Sequence, residues 1–223
     1  MIKKHYICEF SDNPKITGDI YLFQASVNND QTSKLFMSLE KNVESSIIEP
    51  LTCFELNENA IITDFLSMSR MKPGMLISNK LKELITQFTL PKCEFIESLI
   101  YFDKSPEKAF WMNLYEEMYN FIDYNKTEFI KSKNSIFDKN TIEKLGFLSK
   151  NELINLVKEK DLFDRISPLN GYVFQDDFVT QTDIFRIGLM DQNIYVSERL
   201  KDRILQENLS GFRFIEKSLV KPH

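Results

Sequence analysis

Apolar and polar positions along this chain fall into one motif that occurs twice. From Met75 to Ser98, a short apolar run over Met75, Leu76 and Ile77 ends at Ser78. Leu81, Leu84, Ile85 and Phe88 then recur at i, i+3, i+4 and i+7, the spacing of one buried helical face. A turn at Pro91 and Lys92 leads to a second apolar run around Phe95 and Ile96. From Ile194 to Lys217 the pattern returns without a gap. Ser197 takes the place of Ser78, Leu200 of Leu81, Lys201 of Lys82, Ile204 of Ile85, Gln206 of Gln87 and Leu209 of Leu90, and Phe214, Ile215 and Glu216 stand for Phe95, Ile96 and Glu97. Each serine sits where a helix needs an N-cap, its hydroxyl accepting from an otherwise orphaned backbone N–H. Arg203 replaces Leu84 in the second copy, so that helix buries a narrower face, and Gly211 supplies a positive φ before the strand Phe212 to Glu216. Two copies are too few for a solenoid. The duplication predicts an α+β fold of two related halves, each a strand-helix-strand unit with flanking antiparallel strands.

Around the repeats, Tyr6, Cys8 and Phe10 alternate as one face of a strand over Lys3 to Phe10. Ile20 to Val27 reads as a further strand, Ser33 to Asn42 fits a strand or a short helix, and Ile48 to Met68 is strand and turn material leading through Lys72, Pro73 and Gly74 into the first repeat. Ser98 to Phe102 prolongs the strand that closes that repeat, and Lys104 to Lys108, with Pro106, reads as a polar turn. The aromatic segment Ala109 to Phe129 fits helix and strand about equally, as segments buried on both sides do. From Lys131 to Arg165 the composition is polar and reads as helical, with Ser149 the N-cap of a helix to about Lys160. Tyr172 to Phe178 and Asp183 to Met190 read as strands, Asp191 to Asn193 as a hairpin turn, and Val220 to His223 as a loose tail. The division that follows is an N-terminal half over 1–130, a helical connection over 131–170 and a C-terminal half over 171–223, packed as one compact unit.

Composition narrows the class. With 223 residues, 43% hydrophobic and 27% charged, the chain can bury a full core and has the balance of a soluble globular protein. A formal charge of −5 argues against a nucleic-acid binder, which concentrates Lys and Arg on one face. No run approaches the length of a membrane span, and the N-terminus has no apolar signal region, so the expected compartment is the cytoplasm with no membrane partner. Cys8, Cys53 and Cys93 lack metal-site or redox spacing and read as reduced, packed thiols.

The inventory for catalysis is poor. His5 and His223 are the two histidines, one in the first strand and one at the last position, so a triad would have to recruit a terminal residue. Asp176, Asp177 and Asp183 offer carboxylates for a cation, but neighbours along a strand point to opposite faces and no compact ligand spacing appears. No Gly-rich phosphate loop is present. Catalytic, cofactor and metal residues are therefore expected to be absent. A carboxylate-dependent hydrolase or nucleotide-processing enzyme stays open as a rival, as does an adaptor of a secretion or defence locus.

Three stretches carry a resemblance: Asp64, Phe65 and Leu66 with Gly74 to Ser78 and the helix that follows; Asp183 to Arg186; and Ile194 to Lys201 with Leu209 to Phe214. Together they resemble the myxobacterial-type immunity protein domain of bacterial polymorphic toxin systems. The resemblance implies a non-enzymatic, cytoplasmic protein that binds and neutralises a cognate toxin. Its matching residues are caps and core positions, so the toxin-binding site does not carry over with it. Where the toxin is basic, acidic residues would steer the encounter. Two clusters qualify: Glu116, Glu117 and Asp123 in the aromatic segment, and Asp176, Asp177 and Asp183 before the second repeat.

Overall fold

A computed structural model describes residues 4–20, 23–28, 34, 36, 39, 49–68, 74–103, 105–133, 141–161, 164–175 and 182–216. In chain order the elements are β1 (His5–Phe10), α1 (Pro14–Thr17), β2 (Ala25–Val27), β3 (Leu51–Leu56), β4 (Phe65–Leu66), β5 (Gly74–Ser78), α2 (Asn79–Ile85), β6 (Glu94–Phe102) and β7 (Ser105–Asn113). A 3-10 turn (Met118–Phe121) precedes β8 (Glu128–Lys133), β9 (Thr141–Phe147), α3 (Lys150–Glu159), β10 (Asp164–Pro168), β11 (Ile184–Gly188), β12 (Asp191–Ser197), α4 (Glu198–Gln206) and β13 (Phe212–Glu216). The fold is α+β, as the repeat predicts. Among the described residues the strands form a six-stranded sheet ordered β2-β3-β6-β7-β5-β4, a four-stranded sheet ordered β11-β12-β1-β13, and a three-stranded sheet ordered β10-β8-β9.

Both repeats fold alike. In the first, β5 and β6 lie on either side of β7, which is antiparallel to both. In the second, β12 and β13 lie on either side of β1, again antiparallel to both. Even the register agrees: Trp111 stands between Leu76 and Ile96, and Ile7 between Tyr195 and Ile215, which are the residues that align with them. Each unit is thus a strand-helix-strand crossover with a borrowed strand threaded between its two strands. The first repeat borrows the strand that follows it, and the second borrows the N-terminal strand of the chain. A short antiparallel strand completes each unit, β4 beside β5 and β11 beside β12.

The helices bury the faces that the spacing predicts. Ser78 Oγ accepts from Leu81 N and Ser197 Oγ from Leu200 N, closing the first turn of α2 and of α4. Leu81, Leu84 and Ile85 are buried in α2, and Leu200 and Ile204 in α4, where Arg203 is exposed. These residues meet in one apolar cluster with Phe65, Met75, Ile77, Phe110, Ile184, Ile194 and Val196, so the two repeats share a core. A second cluster lies on the six-stranded sheet, built on Trp111, Phe54, Leu51 and Ile96. A third joins the four-stranded sheet, through Ile7, Phe185 and Tyr195, to Phe129, Leu153 and Ile166. The four-stranded sheet contributes residues to two of the three clusters, one from each of its faces.

Several local readings change. Among the described residues the section over 131–170 holds one helix, α3, with the Ser149 and Glu152 capping box, and its flanks are β8, β9 and β10 rather than helix. β9 reads as helical because Thr141 to Lys144 are all exposed, so no inside-outside alternation marks the strand. Pro106 lies within β7, not in a turn. β5 pairs with β7 only over Ala109 to Asn113, so the missing N–H of Pro106 removes no ladder bond on that side. The hairpin reversal falls at Leu189 and Met190, after Gly188 at φ 80°, and Asp191 to Asn193 already belong to β12. Tyr172 to Gln175 makes a single bridge, between Phe174 and Ile122, in place of a strand. Most of Ser33 to Asn42, the Lys72 and Pro73 turn and the tail from Val220 lie outside the described residues.

The shared core yields a stability test. Leu200 is fully buried while Leu205, on the same helix, is 55% exposed. Leu200→Ala is expected to lower unfolding free energy by about 2–5 kcal/mol and Leu205→Ala by less than about 0.5 kcal/mol, read from urea unfolding.

Candidate partner-binding site

The six acidic residues singled out by sequence do not form one patch. Glu116 and Glu117 are neighbours in the loop after β7, yet they face different surroundings. Glu116 is half-buried, and its carboxylate accepts from Lys92 N at 2.8 Å. Glu117 turns inward, 3% exposed, and meets the equally buried Arg186 of β11 at 2.6 Å. Asp123 is half-buried, accepts from Asn125 N at 3.1 Å and pairs with Lys126 at 3.5 Å. Asp176 and Asp177 lie outside the described residues.

Asp183 is fully buried immediately before β11. Its carboxylate accepts from Ser197 Oγ at 2.6 Å, from Thr89 N at 2.9 Å and from the Arg199 guanidinium through two nitrogens. Burial alone pushes this carboxyl up, but the hydrogen bonds from Arg199, Ser197 and Thr89 together outweigh it and hold the group below its ordinary value. The carboxylate thereby fixes the N-cap serine of α4 and the loop that follows α2.

Asp64 does the same for the other repeat. It accepts from Ser78 Oγ at 2.7 Å with one oxygen, and from Ser210 N at 2.8 Å with the other. Ser78 caps α2, while Ser210 lies in the loop after α4. Each aspartate therefore joins the cap of its own repeat to the loop of the opposite repeat. Main-chain bonds accompany each crossing: Phe65 N donates to Ser210 O at 3.2 Å, and Asp183 N to Thr89 O at 2.8 Å. Sequence reasoning did not find this role for Asp64. The signal was present, because Asp64 precedes Ser78 by the 14 positions that separate Asp183 from Ser197.

Glu117 and Arg186 form a further buried ion pair. Arg186 Nη1 also donates to Gln192 Oε1 at 2.7 Å. Burial draws the guanidinium below its ordinary value, against the opposing pull of Glu117. Gly188, at φ 80°, leaves room for this pair, since a Cβ there would come within 2.3 Å of the Glu117 carboxyl carbon. The pair ties the loop after β7 to β11, so two of the six acidic residues end on or beside that one strand. Among the described residues no cluster of three His, Cys, Asp or Glu could hold a metal, and no helix is long and apolar enough to cross a membrane.

The geometry sets two pseudo-equivalent units against each other, joined through the carboxylates of Asp64 and Asp183. The model of the immunity protein family Imm11 matches residues 47–218, a stretch that includes both repeats and the sheet between them, and the chain belongs to that family. Comparison with individual curated proteins gave no match.

Two predictions rest on these carboxylates. Arg186→Met removes the guanidinium that neutralises the buried Glu117 and is expected to cost about 3–5 kcal/mol, while the double variant Arg186→Met with Glu117→Leu recovers part of that loss in the same urea titration. Asp183 sits below its ordinary value, so its contribution is complete above the unfolded value of about 3.9 and is lost as pH falls through the lower folded value. The stability gap between wild type and Asp183→Asn should therefore hold from neutral pH to about pH 4 and close below it, as followed by circular dichroism.

Proposed function

We propose that this protein neutralises a cognate toxin by binding it in the cytoplasm, without chemistry of its own. The observation that carries the reading is the family match over residues 47–218. The buried carboxylates and ion pairs support it, because they hold a surface in one shape and reduce the ordering cost of association. The formal charge of −5 supports a basic toxin as the partner, since opposite charge accelerates encounter.

In this reading Glu116, Asp123, Asp176 and Asp177 steer the toxin through their charge. Glu117 and Asp183, committed to internal pairs, act on binding only through the shape they impose. Inhibition follows from covering or distorting the active surface of the toxin.

The test is a pull-down of the tagged protein from its host, co-expression with the toxin so identified, and stopped-flow binding of the purified pair. Wild type should restore growth and bind stoichiometrically. Reversing Glu116, Asp123, Asp176 and Asp177 to Lys should slow association about tenfold at low salt, with a smaller effect at high salt. An unchanged rate would remove the steering role. Continued toxicity with wild type present would remove the reading itself.

A further inference from the structure

The two repeats differ at one edge. In the first, the outer side of β6 carries an added strand: β3 runs parallel to it, with Leu51 opposite Ser98 and Glu55 opposite Tyr101. Leu51 shares an apolar cluster with Ile96, which is 5% exposed. In the second repeat β13 ends its sheet, and Ile215, the residue that aligns with Ile96, is 39% exposed.

Hydrogen-bond alternation shows which main-chain groups this edge presents. Ser11 N donates to Gly211 O at 2.9 Å, in the register that sets Phe10 opposite Phe212. Bonded and non-bonded pairs alternate in an antiparallel ladder, so Arg213 and Ile215 turn their N–H and C=O groups toward β1. Those of Phe212, Phe214 and Glu216 turn outward, and among the described residues no strand pairs with them. An open edge with an exposed isoleucine beside it is a template for an added strand.

We propose that β13 is the docking edge for an extended segment of the toxin, which adds a fifth strand to the β11-β12-β1-β13 sheet and covers Ile215 as the β3 side covers Ile96. The proposal rests on the toxin-neutralising reading above. The internal precedent fixes the side of the sheet and the apolar character of the incoming residue. β3 enters beside β6 just past the stretch that aligns with β13, and the outward groups of Phe212, Phe214 and Glu216 set the docked segment back along that stretch. Charge selects the occupant. The chain carries a formal charge of −5, so two copies repel and a basic segment is attracted.

Two variants test the edge without entering the core. Glu216→Pro removes one outward N–H from an exposed position, and Ile215→Lys places a charge where the apolar contact forms. Ile142→Lys is the control, because Ile142 is 70% exposed on β9, the edge of the three-stranded sheet. With the toxin identified by pull-down as the probe, each β13 variant should bind about tenfold more weakly by calorimetry, at an unchanged melting temperature. The control should bind as wild type does. In the wild-type complex, amide exchange at Phe212, Phe214 and Glu216 should slow at least about tenfold. Wild-type binding with unchanged affinity in both β13 variants overturns the docking edge and leaves the immunity reading intact. Loss of binding in Ile142→Lys alone moves the site to β9. Protection of the same amides in the free protein, rising with its concentration, assigns the edge to a second copy instead. Failure of wild type to bind the toxin removes both readings together.

Discussion

Asp64 and Asp183 place buried or half-buried carboxylates where the two repeats cross, and each must find donors for its oxygens or lose the cost of desolvation. The donors come from both units at once. A serine that caps a helix supplies one, and the loop leaving the other helix supplies the next. Local and long-range structure are therefore satisfied by the same atoms. If α4 were displaced relative to α2, Ser210 would leave Asp64, and Thr89 would leave the fully buried carboxylate of Asp183 one donor short. The helices, the sheets on which they lie and the shared apolar cluster inherit their relative placement from this exchange.

That exchange explains why the repeats were legible while their assembly was not. Helical faces and caps depend on near neighbours, and Leu81, Ile85, Leu200, Ile204 and both serines behave as their spacing requires. The α+β class follows from the same local signals. The borrowed strands β7 and β1 belong to no repeat, and nothing in their sequence says which pair of strands each will separate. The aromatic segment failed for a related reason. Its residues divide among the end of β7, a loop, a 3-10 turn and the start of β8, so no single period describes it. β9 was missed because an exposed edge strand need not alternate.

The acidic residues teach a similar lesson about sites. Charge in a sequence marks a residue that water, a cation or a donor must satisfy, but does not say which. Glu116 and Glu117 are adjacent, yet one lies near the surface against a main-chain N–H and the other is buried against Arg186. Asp183 looked like a surface carboxylate and is a fully buried joint. What distinguishes them is the availability of a partner far along the chain: Arg186 lies 69 positions from Glu117, and Thr89 lies 94 from Asp183. Such separations are invisible to spacing rules, although the match of Asp64 to Asp183 across the repeat was open to inspection.

Two stretches of like sequence and like strand pairing let matching residues serve as controls for their surroundings. Ile96 and Ile215 share side chain, strand position and the residue on each flank, Phe before and Glu after. Their burial differs because the chain supplies the first with β3 and a cluster around Trp111, and supplies the second with nothing equivalent among the described residues. The difference cannot come from intrinsic strand propensity, which is the same for both. It arises from what the fold adds outside the repeat. A scaffold locked by buried carboxylates can leave one edge open without loosening the core beneath it, because β13 is already held through β1 on its inner side and through Phe212 and Phe214 packed on the shared cluster. Rigidity at the crossing of the repeats is compatible for that reason with an edge at β13 that no described strand pairs.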